Sequence, residues 1–246
     1  MELGTIISPS EPDLIDATFV DREKRFTVHA RLDDGTVVAT HLADSGRLTG
    51  LLNPGGRLRL RPAAPESKRK TAFTCCLVHA PRADCWVSVE AARANRHAAV
   101  LLEAHQLPWL KAPLTFRREV PHGNHRFDFL VTDAEGPCWV EVKSVSWVED
   151  GEGLFPDAPT LRGVRHLRAL ADLARSGERT ALLFVVQRKD ARRVSAAADI
   201  DPAFAEALDA VAKVGTHVDA CLLEPRSDGS VRWRRRIPVV TRTTTE

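Results

Sequence analysis

The chain has 246 residues, of which 43% are hydrophobic, enough to bury the core of one large domain or two small ones. No stretch approaches the ~20 consecutive apolar residues of a membrane helix, and the first residues lack the basic-then-apolar order of a signal peptide. We therefore expect a globular, cytoplasmic protein without a membrane partner.

Although the net charge is only +2, the basic residues are unevenly distributed. Between positions 57 and 70 there are six Lys or Arg residues and one acid, Glu66, and a second basic cluster spans residues 232–236. Such patches favour contact with a phosphate backbone, and they are equally compatible with a solvated surface. The five cysteines include no Cys-X-X-Cys pair, and we predict that they are reduced and buried.

The first third of the chain has the pattern of a small all-β unit. Short alternating runs separated by turn signals predict strands at residues 36–40, 57–61, 75–78 and 86–89. Together they favour a five-stranded barrel domain over residues 1–89. Residues 63–71, rich in Pro, Lys and Arg, are expected to form an exposed loop.

From residue 90 onward, helices and strands alternate. Asn95 is predicted to cap a helix that ends near Glu103, and strands are predicted at 115–120, 126–131 and 138–145. An irregular stretch at 149–159 precedes a predicted helix at 160–175 and a buried strand at 181–186. Asp201-Pro202 is typical of the start of a helix, and a strand follows at 218–223. Residues 90–246 are thus predicted to form an α/β domain with a mixed sheet.

The chemistry is concentrated on two neighbouring predicted strands. Because alternate residues of a strand share a face, Glu141 and Lys143 are predicted to project together, with Val140 and Val142 turned toward the core. On the preceding strand, the same alternation places Asp128 opposite Phe127, Phe129 and Val131. If the two strands form a hairpin, Asp128 lies beside Glu141.

Two adjacent carboxylates repel each other, and a shared proton or a bound cation relieves the repulsion. Mg²⁺ or Mn²⁺ suits such a site, so Asp128 and Glu141 are the predicted metal ligands. Lys143 is placed to orient or deprotonate a water molecule in phosphodiester hydrolysis. The alternative, an ordinary cross-strand Glu–Lys pair with a solvated Asp128, stays open.

Several sequence blocks, in order, resemble the sugar fermentation stimulation protein family. They include Asp44-Ser45-Gly46-Arg47-Leu48, Arg126-Phe127-Asp128-Phe129-Leu130, Glu141-Val142-Lys143-Ser144-Val145 and Phe155-Pro156-Asp157-Ala158-Pro159-Thr160. The resemblance implies an N-terminal barrel of the oligonucleotide-binding (OB) type and a restriction-endonuclease-like, PD-(D/E)XK-type C-terminal domain. It also implies DNA binding and a link to sugar catabolism.

Two sets of candidate residues follow, the first carried over from the resemblance and the second taken from the basic loop and the basic face of the helix predicted at 160–175. The catalytic set is Asp128, Glu141 and Lys143, with Glu103 as the acid of the first helix and Gln187 as a polar neighbour. The nucleic-acid-binding set is Lys68, Arg69, Lys70, Arg162, Arg165 and His166. His166 is expected to touch a phosphate or the active-site acids, or else to pack on the sheet edge. Asp157 is expected to cap the following helix, with the metal site as the alternative.

Three functions compete at this point. The first is a magnesium-dependent phosphodiesterase acting on DNA or RNA, and the second is a noncatalytic, largely non-sequence-specific DNA-binding regulator linked to sugar catabolism of the maltose type. The third, direct action on sugars, is disfavoured because a lysine beside Glu141 suits phosphate chemistry better than glycoside chemistry. The oligomeric state stays open, with a homodimer among the alternatives.

Overall fold

The computed structural model describes residues 1–48, 50–64, 66–67 and 69–241. Five strands of its first part close a ring in the order β2-β3-β4-β6-β5, and β7 adds to β6 outside the ring. Their bounds are β2 Ile15–Lys24, β3 Thr27–Leu32, β4 Val37–Leu42, β5 Arg57–Pro62, β6 Phe73–Ala80 and β7 Cys85–Ser88. The predicted five-stranded, OB-type barrel is confirmed.

Alternation along β5 shows why these residues form a barrel. Leu58 and Leu60 are fully buried in the barrel core, whereas Arg57, Arg59 and Arg61 between them face outward. All five cysteines are free and buried, as expected, and burial raises the pKa of the Cys75 thiol to about 12.

The second part is built on a seven-stranded mixed sheet with the strand order β1-β16-β15-β13-β10-β9-β8. Three central strands, β10, β13 and β15, are parallel, and β8, β9 and β16 are antiparallel to their neighbours. The bounds are β1 Ile6–Ser8, β8 Thr115–His122, β9 His125–Asp133, β10 Gly136–Val145, β13 Arg179–Val186, β15 His217–Pro225 and β16 Val231–Ile237.

Three helices cover this sheet: α1 Arg93–Glu103, α2 Leu161–Arg175 and α3 Pro202–Lys213. Thr160 caps α2 by accepting from the Gly163 N–H, and Asp201 caps α3 by accepting from the Phe204 N–H. The prediction that Asn95 caps α1 is wrong. The helix begins two residues earlier, which places Asn95 inside its first turn and frees its side chain for a contact with β9.

The helices define two separate cores. On one face, α1 packs on Val140 and Val142, and on the other face α2 and α3 pack on Leu182 and Phe184. The order α1, β8–β10, α2, β13, α3, β15 is the predicted succession of elements. The restriction-endonuclease-like α/β fold is therefore confirmed.

The predicted irregular stretch at 149–159 is wrong for its first half. A hairpin of β11 (Trp147–Glu149) and β12 (Glu152–Phe155) begins a small sheet that continues through β14 (Arg193–Ala196) and β17 (Val239–Val240). Asp150 and Gly151 form its turn with positive φ angles, which an Asp-Gly pair tolerates well.

Ion pairs and one N-terminal strand connect the barrel to the second sheet. Residues 6–8 form β1 at the edge of the second sheet, so the barrel domain predicted over 1–89 begins after this strand. Arg61 of the barrel pairs with both Glu11 and Glu90, and Arg93 of α1 pairs with the same two carboxylates. Among the described residues, no helix is long and apolar enough to cross a membrane.

Candidate metal and catalytic site

The alternation of β10 brings Glu141 and Lys143 together on one face of the sheet. Lys143 Nζ lies 2.5 Å from Glu141 Oε1, while Val140 and Val142 are buried on the opposite face against α1. The predicted orientation of these four side chains is confirmed. Glu141 is 2% exposed, so the pair is not the solvated cross-strand pair of the alternative interpretation.

Asp128 reaches the same place from β9, because regular pairing of β9 with β10 ends at Phe129 and Val140. Beyond that point the Asp128 carboxylate takes the position of a strand partner. It accepts from the backbone N–H of Val142 at 2.7 Å and from Asn95 Nδ2 at 2.5 Å.

The same departure from regular pairing corrects the expected facing of Phe127. Phe129 and Val131 pack in the core beside α1, as predicted, but Phe127 packs in the other core with Trp139 and His166. Neither β8 nor β10 pairs regularly with Asp128, so the alternation of faces along β9 is interrupted at this residue.

The two oxygens of Glu141 have different surroundings. Oε1 contacts both Lys143 Nζ and His166 Nδ1. Oε2 is buried, and no group in the described part of the chain donates a hydrogen bond to it. A buried carboxylate oxygen without a partner is costly, so this atom is the one most in need of a ligand.

The two carboxyl groups differ in acidity. Burial raises the pKa of Asp128 to about 6, and the nearby charge of Glu141 adds to the rise. Burial also opposes ionisation of Glu141, but the charge of Lys143 and the hydrogen bond with His166 outweigh it and hold the pKa of Glu141 below the usual value. Glu141 is thus the stronger acid of the two, and Asp128 keeps its proton up to a higher pH than Glu141 does.

These groups line a cavity of about 530 Å³ between the barrel and the second domain. Its wall carries an excess of acidic over basic side chains. The acids are Asp44, Glu119, Asp128, Glu141 and Asp157, and the cations are Arg25, Lys143 and Arg162. An anionic ligand can enter such a cavity only if further positive charge comes with it.

The barrel contributes one side of this cavity through the loop after β4. Asp157 accepts a hydrogen bond of 3.0 Å from the backbone N–H of Leu48, which ties that loop to the second domain. The expectation that Asp157 caps α2 is wrong, because Thr160 accepts the capping hydrogen bond at the start of this helix. Burial raises the pKa of Asp44 to about 6, with a contribution from the charge of Asp157.

Two members of the predicted catalytic set lie elsewhere. Glu103 is exposed at the end of α1, about 12 Å along the helix axis from Asn95, and it does not line the cavity. Gln187 is fully buried and donates to the Glu90 carbonyl and Ser144 Oγ. The parallel register pairs Glu141 with Leu182, so odd-numbered β13 positions and Gln187 after them face away from Glu141.

The predicted nucleic-acid-binding residues are also separated in space. Arg162 lines the cavity, whereas Arg165 lies in a different groove on α2. Arg69 and Lys70 are exposed on the barrel loop, and Lys68 lies outside the described residues. His166 is buried, which removes it from direct contact with a phosphate and leaves it as a partner of Glu141.

Several arginines of the two basic clusters are already neutralised. Arg59 pairs with Asp16, and Arg61 pairs with Glu11 and Glu90. In the second cluster, Arg234 pairs with Glu224 and Arg236 pairs with Asp219. A count of charges along the sequence therefore overestimates the free positive surface.

Sequence reasoning missed Asn95, Arg25 and the Asp44 loop as parts of the site. The block from Asp44 to Leu48 carried a signal, because a short run of Asp, Ser and Gly between strands is typical of a functional loop. Asn95 carried a weaker one, since the pattern that suggested a cap also fits an amide turned toward a carboxylate.

The arrangement fits a divalent cation. The described residues contain no group of three or more His, Cys, Asp or Glu side chains that could hold a metal ion. Magnesium and similar ions, however, are often held by one or two carboxylates, with water and a substrate phosphate completing the shell. Glu141 Oε2 and the Asp128 carboxylate supply that minimal set.

The fold and the cavity define a class of protein in which an OB-type barrel is joined to a restriction-endonuclease-like α/β domain. The family model described as the sugar fermentation stimulation protein RE domain matches residues 92–229, and the SfsA N-terminal OB domain matches residues 20–89. The chain belongs to the sugar fermentation stimulation protein family.

Two relatives and one solved structure are similar to this chain over most of its length. Sugar fermentation stimulation protein homologs from Moorella thermoacetica and Chloroflexus aurantiacus are 41% and 40% identical, over 87% and 86% of this chain and 92% and 81% of theirs. The structure of Pyrococcus furiosus SfsA in complex with Ca²⁺ matches with a TM-score of 0.86 at 24% identity, covering 94% of this chain and 98% of that one. At that identity the match supports the fold.

Proposed function

We propose that this protein binds nucleic acid, DNA in the first place, and hydrolyses phosphodiester bonds at a divalent-metal site in the cavity between its domains. The single observation that carries the proposal is Glu141 Oε2, a buried carboxylate oxygen without a hydrogen-bond donor among the described residues, on the same cavity wall as Asp128 and Lys143. Asp128 and Glu141 would hold Mg²⁺ or Mn²⁺. The relative from Pyrococcus furiosus is described in complex with Ca²⁺, which supports a divalent cation here.

The bound ion would supply Lewis acidity and an activated water molecule for attack on phosphorus. The protein's own residues prepare the site. Lys143 and His166 both hold Oε1 of Glu141, so Oε2 stays available for a ligand. Asn95 fixes Asp128 from the side of α1.

The cations of the cavity would act on the attacking water molecule and on the phosphates of the substrate. The Lys143 ammonium group lies where it can orient an attacking water molecule or stabilise charge that develops on a phosphate oxygen. Arg25 and Arg162 enter from opposite domains and can hold the phosphates on either side of the reacting one. Because acids outnumber these cations, substrate binding should depend on the divalent ion.

A second candidate is a noncatalytic, largely non-sequence-specific DNA-binding regulator of sugar catabolism of the maltose type. The exposed barrel loop with Arg69 and Lys70 favours binding, and the names of the relatives favour the link to sugar use. This candidate leaves the buried oxygen of Glu141 without a role.

The test is cleavage of end-labelled single- and double-stranded DNA and RNA with Mg²⁺, Mn²⁺ or EDTA. We expect metal-dependent cleavage by the wild-type protein and a loss of at least 100-fold for Glu141→Gln and Lys143→Met. Glu103→Gln is the matched control, because Glu103 is an exposed carboxylate outside the cavity, and it should cleave normally.

The outcomes separate the two candidates. Salt-dependent binding of DNA without cleavage under any metal condition would support the regulator and reject the nuclease. Cleavage that Glu141→Gln and Lys143→Met leave unchanged would place the activity outside this cavity and reject the proposed site.

A further inference from the structure

A second concave surface lies beside the catalytic cavity, between α2 and the turn that joins β8 to β9. It is a groove of about 540 Å³ whose floor includes Ala169 and Leu173. The basic side chains along it are Arg165 and Arg168 of α2 and His122 and His125 of the turn. Nothing in the proposed chemistry of the cavity uses this groove.

The arginines of α2 form a continuous stripe that starts in the cavity. Arg162, Arg165 and Arg168 follow each other at intervals of three residues, within an arc of about 120° and a length of about 9 Å. All three are exposed, and no carboxylate among the described residues forms an ion pair with them. Arg162 belongs to the catalytic cavity and Arg165 to the groove, so the stripe joins the two.

A contact between two histidine rings joins the two sites as well. The ring of His125 meets the ring of His166 edge-on at 6.0 Å between centroids, and His166 holds Glu141. The groove therefore lies directly behind the catalytic carboxylate. Its one acidic residue, Asp172, is already engaged with Arg175 at 2.8 Å.

This charge pattern contrasts with that of the cavity, where acids are in excess. Arg165 and Arg168 form no ion pair within the described part of the chain, and the one acid of the groove is paired with Arg175, so these arginines can attract a phosphodiester backbone whether or not a metal is bound. A strand of B-form DNA carries one phosphate per ~3.4 Å of helix axis, so the arginine stripe spans two or three nucleotides. The apolar floor suits the faces of sugars or bases between them.

We propose that the groove of Arg165, Arg168, His122 and His125 is the track along which a polynucleotide strand leaves the catalytic cavity. This inference rests on the proposed function. It adds that affinity for long substrates comes largely from α2 and the β8–β9 turn, and that the cavity alone recognises the reacting phosphate and its neighbours.

The experiment compares the double variant Arg165→Gln/Arg168→Gln with Arg226→Gln in the intact chain. Arg226 is the control, because it is an exposed arginine that lines neither the groove nor the cavity. Binding of a labelled 20-nucleotide single strand and of a 20-base-pair duplex is measured with Ca²⁺ over a range of salt concentrations. Cleavage of a dinucleotide and of the 20-mer is measured with Mn²⁺.

We expect the double variant to bind the 20-mers about 25- to 60-fold more weakly at 0.1 M salt, with the slope of log K against log salt reduced by about 1.4 to 1.8. Dinucleotide cleavage and the melting temperature should match those of the wild-type protein, and Arg226→Gln should change none of these quantities.

Four results would overturn the proposal. If the wild-type protein binds no nucleic acid, the proposed function and the track fail together. If it binds and the double variant behaves like Arg226→Gln, the track alone fails. If the double variant loses dinucleotide cleavage in the same proportion, the two arginines act on the reacting phosphate and form no separate track. If inorganic phosphate at low millimolar concentration displaces the 20-mer through these arginines only, the groove is a small-anion site.

Discussion

The carboxylate of Asp128 accepts the backbone N–H of Val142 at 2.7 Å, in the position where a neighbouring strand would otherwise pair. This contact explains both the half-buried location of Asp128 and its closeness to Glu141. The same hydrogen bond satisfies a backbone N–H of β10, so the fold accommodates an acid whose pKa is raised to about 6.

The raised pKa values predict an unusual dependence of stability on pH in the metal-free protein. Asp128 and Asp44 have folded-state pKa values of about 6, well above the 3.8 expected for the unfolded chain. The folded state binds these protons more tightly, so both groups make folding more favourable as the pH falls from 7 to 5. The gain should be on the order of 1 kcal/mol or less per group, after allowance for solvent screening.

Urea unfolding in EDTA at pH 7.0 and pH 5.5 measures this effect. The Asp44→Asn/Asp128→Asn variant should lose the gain and be the more stable protein at pH 7. The raised pKa values of these two acids would be contradicted if the wild-type protein instead lost stability between pH 7.0 and pH 5.5 and the double variant showed the same change.

His166 is predicted to be a positioning residue that acts through Glu141. His166→Phe removes the contact with Oε1, so the carboxylate is no longer held in one orientation, and metal affinity and kcat should both fall about 10- to 100-fold. His166→Asn keeps a donor near the position of Nδ1 and should recover most of the affinity. Metal titration by calorimetry checks the effect, and equal losses in the two variants would indicate a merely structural role.

The contact between the barrel loop and the second domain is open to a double-mutant cycle. A Cβ at position 46 would collide with the carboxylate of Asp157, so Gly46→Ala should displace that side chain and destabilise the protein. Asp157→Ala removes the acceptor of the Leu48 N–H and should cost about 1–3 kcal/mol. Because the second change also removes the collision, the double variant should lose less than the sum of the two. Strict additivity in chemical unfolding would contradict the contact.

Asn95 is predicted to tune the acidity of Asp128. Its amide hydrogen bond at 2.5 Å favours the ionised carboxylate, so Asn95→Ala should raise the pKa of Asp128 further. Protons then compete with the metal at a higher pH, and the midpoint of metal binding should move upward. Metal affinity measured from pH 5 to pH 8 checks this shift, with Asn124→Ala in the exposed β8–β9 turn as the control. An unchanged midpoint would exclude the role of Asn95.

Strand periodicity was sufficient to predict much of this site. The alternation of β10 placed Glu141 beside Lys143, and the hairpin placed Asp128 beside both. Periodicity could not predict where β9 leaves the ladder, because that depends on the pairing partner, and this is why the facing of Phe127 was wrong. The orientation of Gln187 could not be predicted for a related reason, since it follows from the parallel register of β10 and β13.

Tertiary contacts account for the other differences. Glu103 was assigned to the site from the family resemblance, and the direction of α1 places Asn95 beside Asp128 instead. The Asp44 loop, Arg25 and Asp157 come together only when the barrel docks on the second domain, and a single sequence does not contain that relationship. The fold itself was predicted correctly, because the residue periodicity within each element and the family resemblance were sufficient to indicate it.

The most direct test of the metal site is a crystal structure with Mn²⁺, read from the anomalous difference density. We predict one strong peak between Asp128 and Glu141, within about 2.3 Å of Oε2 of Glu141, and its loss in Glu141→Gln. A peak elsewhere in the cavity, or none at millimolar Mn²⁺ with Oε2 instead bound to a protein donor, would contradict the assignment of Asp128 and Glu141 as metal ligands.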